Sequence, residues 1–422
     1  MTAMSAPSKV RLDVVVVGAG MAGATLALAL AHGGLETALV DFMAFEEMAA
    51  PAFDGRASAI AFSAFRQWRA LGAAEAIAPH AQRIEQILVT DGRAPGPASR
   101  PAAGAWLRFD SAEIADRSEG EPLGYLIENR HVRAGLAAAV RASSVRLHAP
   151  ARIVSTERES GSVTVALADG TRLIAPVVVA ADGRGSPLRG QAGIGTVGWA
   201  YGETGVVATI GLERDHEGVA YEHFLPSGPF AILPLTGRRA SLVWTERKAR
   251  AEALVSCPLE AFEAHLRRRF GEFLGAIRLE GPRFAYPLGL QLADRVTAPR
   301  LALIGDAAHA VHPIAGQGLN MGLKDVAALA ETLITAARLG EDLGSEAVLA
   351  RYARWRSLDN VGLAVATDLF VRLFGNDAPL LRTVRDLGLG VVNRIGPARR
   401  LFMMEAGGAA GDLPRLLRGQ SV

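Results

Sequence analysis

A run of four valines stopped by a glycine-rich turn constrains this chain more than any other feature. Residues 13–23 read DVVVVGAGMAG. A short β-branched run ending in glycine is the pattern of a strand buried on both faces of a parallel sheet. The next stretch, AGATLALALAHGG, reads as a helix ended by Gly33 and Gly34. Lys9 and Arg11 precede the apolar run from Val14 to Ala31, so it superficially imitates a signal peptide or a membrane span. The glycines interrupt it, and strand, turn and helix form the better account.

Gly18, Gly20 and Gly23 then make a GxGxxG turn between strand and helix. The first glycine permits the tight turn, the second lets a pyrophosphate approach the backbone, and the third lets helix and strand pack closely. The unpaired N–H groups of the helix N-terminus face the phosphates. A second strand, ETALVD, ends in Asp41, an acid placed to accept hydrogen bonds from a ribose. The pattern predicts a dinucleotide site, and at this point NAD and FAD both fit.

The chain has 422 residues, 50% of them hydrophobic, enough for a large core and two or three domains. A formal net charge of +2 carries no nucleic-acid footprint, and no nucleic-acid partner is expected. The single cysteine, Cys257, leaves no internal disulfide and no CxxC site, which fits a reducing cytoplasm.

Beyond the turn, DGRASAIAFSAFRQWRALG reads as a loop and an amphipathic helix. LGYLIENRHVRAGLAAAVRA reads as a strand entering a helix. The segment from Val145 to Gly183 alternates like an antiparallel meander, with ADGT as a hairpin turn and APVVVAADG as its last, apolar strand. Strand-like runs recur between Gly195 and Arg283, interrupted by a helix in LEAFEAHLRRRFGEFLG. RLALIGDAAHA is another buried strand, and from Met321 onward the spacing is helical.

The segment GDAAHAVHPIAGQGLNMGLKD, residues 305–325, places His309 and His312 between Asp306 and Asp325. A metal site needs three or four ligands, and the histidines supply two, with Pro313 next in the chain; no metal is expected. A second reading uses the whole stretch. An acid at a strand's carboxyl end can hold a polyol hydroxyl, and a glycine loop at a helix N-terminus can hold an electron-rich carbonyl. Those needs meet in flavin.

Three motifs therefore stand in order: GxGxxG at Gly18–Gly23, AADGRGSPLR at residues 180–189, and GDAAHAVHP from Gly305 to Pro313. With DGRASAIAFS, FLPSGPFAILPL, SLVWT, YPLGLQLADR and HPIAGQGLNMGLKD, they make the chain resemble the FAD monooxygenases of the p-hydroxybenzoate hydroxylase type, and among these the ubiquinone-biosynthesis hydroxylases. The resemblance runs from about Asp13 to DLPRLLRG. It implies an α/β and α+β architecture: a Rossmann-like FAD-binding domain with an inserted antiparallel-sheet substrate domain and C-terminal helices. The FAD domain is expected to be discontinuous, in residues 8–85, 110–194 and 284–340. Residues 86–109 and 195–283 would form the substrate domain, and 341–422 the helical region.

The resemblance also assigns residues. It implies that Gly18, Gly20 and Gly23 hold the FAD pyrophosphate, Asp41 the adenosine ribose, and Arg56 the pyrophosphate from the following loop. Asn129 or Arg130 would reach the cofactor from the next helix start. Asp182 and Gly183 would touch the pyrophosphate region, in a motif associated with NAD(P)H use. Gly305 and Asp306 would hold the ribityl chain; Gly316, Gly318, Leu319 and Asn320 would present N–H groups to the ring. His309 reads as structural, while His312 and Pro313 would line the reaction side, with no base assigned.

The implied activity is hydroxylation of a polyprenylated phenol by a C4a-hydroperoxyflavin, with FAD as cofactor, NAD(P)H or another reductant as electron donor, and O2 as co-substrate. Hydroxylation of another phenol, reduction of a prenyl group, and a non-catalytic flavoprotein on the same fold are the alternatives. A cytoplasmic protein peripheral to the inner membrane, in contact with lipid or a biosynthetic complex, would collect such a substrate. The candidate contact is NRIGPARRLFMMEAGG, where Arg394, Arg399 and Arg400 flank Leu401, Phe402, Met403 and Met404.

Overall fold

The computed structural model describes residues 9–49, 53–90, 105–113, 120–225, 228–310, 317–356, 407–408 and 411–422. The four valines form the strand Val14–Val17 inside a six-stranded sheet. Its order is Thr297–Ala298, Leu301–Leu303, Val177–Ala180, Val14–Val17, Thr37–Val40, Arg146–His148. All pairings are parallel except the first. The apolar run that imitates a membrane span divides as its glycines dictate, into this strand and the helix Met21–His32.

The sheet is covered on both faces, so its strands carry continuous apolar runs. Val14, Val16, Leu39, Val177 and Val179 face the helix side, where Leu26, Leu30, Leu329, Leu333 and Ile334 complete the core. Those last three lie on the long helix Gln317–Arg338, at the helical spacing the sequence shows. Val15, Val17, Ala38 and Val40 face a four-stranded sheet and pack on Val163, Val165 and Leu173. Each fully buried valine stabilises the fold by roughly 1.5–3 kcal/mol relative to exposure.

The second body is an eight-stranded sheet. Its order is His309–Ala310, Ile277–Ala293, Thr196–Leu212, Arg239–Arg247, Gly228–Leu235, Val219–Leu225, Gln86–Thr90, Ala105–Asp110. Pairing is antiparallel except between Val219–Leu225 and Gln86–Thr90. One face is closed by the helices Lys248–Ser256 and Leu259–Phe270, with Phe230, Trp244, Phe262 and Phe270 at the centre of the contact. The other face turns toward residues 53–59: Tyr286 Oη donates to the Asp54 carbonyl at 2.7 Å, and the Phe53 and Phe284 rings meet edge to face.

Three local readings differ from the structure. Ala57–Ala61, expected as loop, is a strand, because it pairs with the apolar Gly124–Glu128 in a three-stranded sheet. Arg146–His148 leaves the expected meander and pairs in parallel with Thr37–Val40, as the outer strand of the six-stranded sheet. The expected boundary at Arg283 falls inside Ile277–Ala293, which pairs with Thr196–Leu212 from Ile277 to Ala293. Residues 346–356 are helical, Arg415–Arg418 form a 3-10 turn, and 357–406 lie outside the described residues. Among the described residues no helix is long and apolar enough to cross a membrane.

Candidate functional site

Register brings the motifs together. Val17 stands opposite Val40 and Ala180, and Ala180 stands opposite Leu303. Gly18, Asp41, Asp182 and Gly305 therefore leave the carboxyl ends of four adjacent strands, where open α/β sheets hold ligands. Segments nearly 300 residues apart in sequence share one cleft.

The glycine turn shows which of its members serve packing and which serve space. Gly18 has φ +104°, and a Cβ there would lie 2.3 Å from the Ala181 carbonyl oxygen. A Cβ on Gly23 would lie 1.8 Å from the Gly18 oxygen. Neither position admits a side chain. Gly20 differs: it caps the helix Met21–His32, and a Cβ on it would meet nothing within 4 Å. The space in front of Gly20 belongs to a shallow recess, open to solvent and lined by Met21, Phe45, Met48, Arg133 and Leu136. Asp41 ties the turn to the next strand by accepting Ala19 N–H at 2.7 Å and Met43 N–H at 2.9 Å. A carboxylate has about four acceptor positions, so two are left for a sugar.

Arg56 is half-exposed, and its Nε and Nη2 both donate to Asp54 Oδ2, at 3.0 and 2.7 Å. Burial works to raise the Asp54 pKa, but Arg56, with Arg133 behind it, brings it below the usual range. Arg133 lies 3.1 Å from Asp54 and lines the recess in front of Gly20. The sequence reading missed this residue; its signal was its place one helical turn after Asn129. Asn129 begins the helix Asn129–Arg141, and its Oδ1 accepts from Ser58 Oγ at 2.7 Å. Arg130 turns to Glu128 at 3.0 Å and stacks over Phe53.

Asp182 holds a partly spent carboxyl. One oxygen accepts Leu188 N–H at 3.3 Å; the other, Oδ1, is buried and has no partner among the described residues. Burial raises its pKa against the hydrogen bonds from Ser186 and Leu188. Gly183 turns the chain at φ +85°. Buried Arg189 closes this motif onto the next by donating to the Ala307 and Arg184 carbonyls, both at 2.8 Å.

Gly305, at φ +57°, opens a 3-10 turn, and Asp306 on it is exposed to the cleft. Crowding by the cleft walls raises the Asp306 pKa, opposed by His309, Arg184 and Arg56. Beneath the turn lies a buried ionic cluster. Asp325 accepts from Gly305 N–H at 3.0 Å, His309 Nε2 at 2.6 Å and Arg356 Nε at 2.8 Å. Burial alone would raise the Asp325 pKa, but His309 and Arg356 hold it below the ordinary value. His309 is thus the partner of a carboxylate that braces the turn, in line with its structural reading. Among the described residues no three His, Cys, Asp or Glu side chains cluster as a metal site.

Gly318, Leu319 and Asn320 lie in the first turn of the helix Gln317–Arg338. The Asn320 side chain does not face a ligand: it donates to the Ala59 carbonyl at 2.8 Å and accepts Ala61 N–H at 2.9 Å, binding the helix to the strand Ala57–Ala61. Its backbone N–H stays the candidate group. His312, Pro313 and Gly316 lie outside the described residues.

These residues fit FAD. Gly20 and the helix N-terminus leave a cradle for a pyrophosphate; Asp41 has acceptors for a sugar; the buried Oδ1 of Asp182 lacks a partner; Asp306 opens on the cleft.

Residues 11–360 match the family described as FAD binding domain. The chain is 45% identical over 411 residues to the ubiquinone hydroxylase UbiL of Rhodospirillum rubrum, covering 96% of this chain and 92% of that one. It is 33% identical to the 3-demethoxyubiquinol 3-hydroxylase of Escherichia coli, covering 92% and 96%. It is 32% identical to the mitochondrial ubiquinone biosynthesis monooxygenase COQ6 of Rattus norvegicus, covering 93% and 90%. The fold is shared with the p-nitrophenol 4-monooxygenase PnpA of Pseudomonas putida at TM-score 0.78 and 19% identity, over 96% of this chain and 100% of that one.

Proposed function

This chain belongs to the FAD binding domain family and, within it, to the ubiquinone-biosynthesis hydroxylases, and from that premise we propose that it hydroxylates a polyprenylated phenol. It is an FAD-dependent monooxygenase. The observation that carries the reading is the convergence of four motifs at the carboxyl ends of adjacent strands, facing one side of a second sheet. When bound and reduced by NAD(P)H or another donor, FAD supplies the activated oxygen atom from O2.

The chain's own residues bind, orient and exclude water. Gly18, Gly20 and Gly23 admit the pyrophosphate to the helix N-terminus, where unpaired N–H groups stabilise its charge. Arg133 and Arg56 add cations, and Asp41 takes the ribose. Asn129 and Arg130 support the cofactor from the helix start. Asp182, with Gly183, accepts from it at the third strand end. Asp306 would take ribityl hydroxyls, and Gly318, Leu319 and Asn320 would offer N–H groups to the electron-rich edge of the ring, a role also assigned to Gly316 from sequence. His312 and Pro313 are assigned to the reaction side from sequence.

The division of the chain into a discontinuous FAD domain, a substrate domain and a C-terminal region belongs to the same proposal. So does a peripheral membrane or complex contact, because a polyprenyl tail is insoluble in water; the segment around Arg399 and Arg400 assigned to it lies outside the described residues. Its test is co-sedimentation with anionic liposomes, which Arg399→Glu/Arg400→Glu is expected to weaken.

The hydroxylation is tested by incubating the purified yellow protein with a short-chain prenylphenol, a reductant and labelled O2. One labelled oxygen atom in the ring is expected. Oxidation of the reductant with hydrogen peroxide as the sole oxygen product would reject the reading.

A further inference from the structure

The face of the eight-stranded sheet that turns to the cofactor motifs is apolar along the strand Val219–Leu225, with one exception. Side chains alternate there. Val219, Tyr221 and Leu225 point to the helices Lys248–Ser256 and Leu259–Phe270, while Ala220 and Phe224 point the other way. Glu222 shares the second face, between Ala220 and Phe224. The register with its neighbours is regular and sets it opposite Ala231 on one side and Val89 on the other.

That face can be located against the cofactor motifs. Ala220 and Leu235 pack on Ala57 and Ala59 of the strand Ala57–Ala61. Asn320, at the helix start assigned to the flavin ring, holds that same strand at Ala59 and Ala61. Farther across the sheet, Tyr286 reaches Asp54 beside Arg56. Glu222 stands one side-chain step beyond Ala220, where the sheet passes from its contact with this strand to Phe224, Val89 and Leu107.

Glu222 has no hydrogen-bond or ion-pair partner among the described residues. Its side chain is half-buried by solvent contact, yet protein crowds it throughout, and this burial alone pushes its pKa up to about 7. An unpaired carboxyl on an apolar wall is costly, and such groups concentrate where chemistry needs them.

We propose that Glu222 holds the phenolic hydroxyl of the substrate and takes its proton as the ring is hydroxylated. The inference rests on the hydroxylase reading above. The phenolic O–H bond breaks, its electron pair stays on the phenol oxygen and feeds the ring, and the proton forms a new O–H bond on the carboxylate. No further oxidant or reductant enters this step. A carboxyl that burial has made more basic than a free carboxylate suits the task, because its ionised form accepts a proton more readily.

The test uses FAD-loaded protein, 2-prenylphenol and its methyl ether, with binding read from the flavin absorbance. The wild type is expected to bind the phenol about tenfold more tightly than the ether, and Glu222→Ala to lose that preference. Glu222→Gln keeps an acceptor oxygen but no base. It is expected to retain the preference and KM while kcat falls about a hundredfold or more. Flavin content and melting temperature verify that both variants are folded; if the alanine variant is not, the glutamine variant decides. Equal wild-type affinity for phenol and ether, or full kcat in Glu222→Gln, overturns the role of Glu222 while product formation keeps the hydroxylase reading. A wild type that yields no hydroxylated product but shows a Glu222-dependent preference overturns the hydroxylase reading and the proton transfer with it, and leaves Glu222 as the group that binds the phenol.

Discussion

The two sheets meet the cleft in opposite ways. At the carboxyl ends of the parallel strands, most polar groups are engaged by neighbouring chain, Asp41 by Ala19 and Met43, Asp325 by Gly305, His309 and Arg356, Asn320 by Ala59 and Ala61, while Asp182 Oδ1 and Asp306 are left for a ligand. Across from them the Val219–Leu225 strand presents an apolar face with one carboxyl that has no partner among the described residues. A cofactor that stays bound can be met by a site whose groups already hold one another. A substrate that comes and goes is met by a wall that leaves its hydrogen bonding unspent.

The contrast predicts its largest effect at Asp325. Asp325→Ala leaves buried Arg356 without its carboxylate and frees the Gly305 turn; breaking a buried pair costs about 3–5 kcal/mol. Denaturant titration measures it, and a loss below about 1 kcal/mol would show that the parallel-sheet end is not braced in this way.

Gly20 sharpens the comparison further. With open space around it, Gly20→Ala is expected to keep stability within about 0.5 kcal/mol while weakening FAD binding, because the methyl group occupies the pyrophosphate's approach. Gly23→Ala must displace backbone and is expected to lose both stability and FAD. Equal behaviour of the two variants would break the distinction between packing glycine and ligand glycine. A smaller effect is expected at Asp306→Ala, which removes charge-assisted hydrogen bonds to the ribityl chain: FAD affinity should fall about tenfold. An unchanged titration would place the ribityl chain elsewhere.

A pH-dependent effect lies on the other sheet. The Glu222 carboxyl ionises near pH 7 in the folded chain against an ordinary value of 4.5. As pH rises from 4.5, the unfolded chain loses this proton first, so stability falls until about pH 7 and is then level. Glu222→Gln lacks this loss. Its stability relative to wild type should be higher at pH 8 than at pH 5, by denaturant midpoint. A constant difference would mean that Glu222 is solvated.

Sequence revealed the cofactor side well because its signals are local. Gly18, Gly20 and Gly23 announce a turn within six residues, and Asp41, Asp182 and Asp306 each close an apolar run. Arg133 was missed because its relation to Gly20 passes through the fold, and Asp325 was not read as the partner of His309, although both stood in one quoted segment. Glu222 carries no local mark. Its meaning comes from alternation along one strand and register with two others, which join residues 86–90, 219–225 and 228–235. The strand Ala57–Ala61 was likewise hidden, since small alanines speak for sheet only once Gly124–Glu128 lies beside them.

The strand Leu301–Leu303 pairs directly with Val177–Ala180, though more than a hundred residues separate them. The ribosome therefore releases the glycine turn, Asp41 and Asp182 long before the strand that completes their row. At about 5–20 residues per second, the interval is several seconds or more. During it the outer edge of Val177–Ala180 lacks its neighbour, and the Gly305 turn with its Asp325 brace does not yet exist. A nascent chain can collapse around Val14–Val17 early, but it cannot become a flavoprotein until its last quarter is made. Cofactor capture is thereby timed to the end of synthesis, and a truncated product is left unable to carry the oxidising chemistry of the finished one.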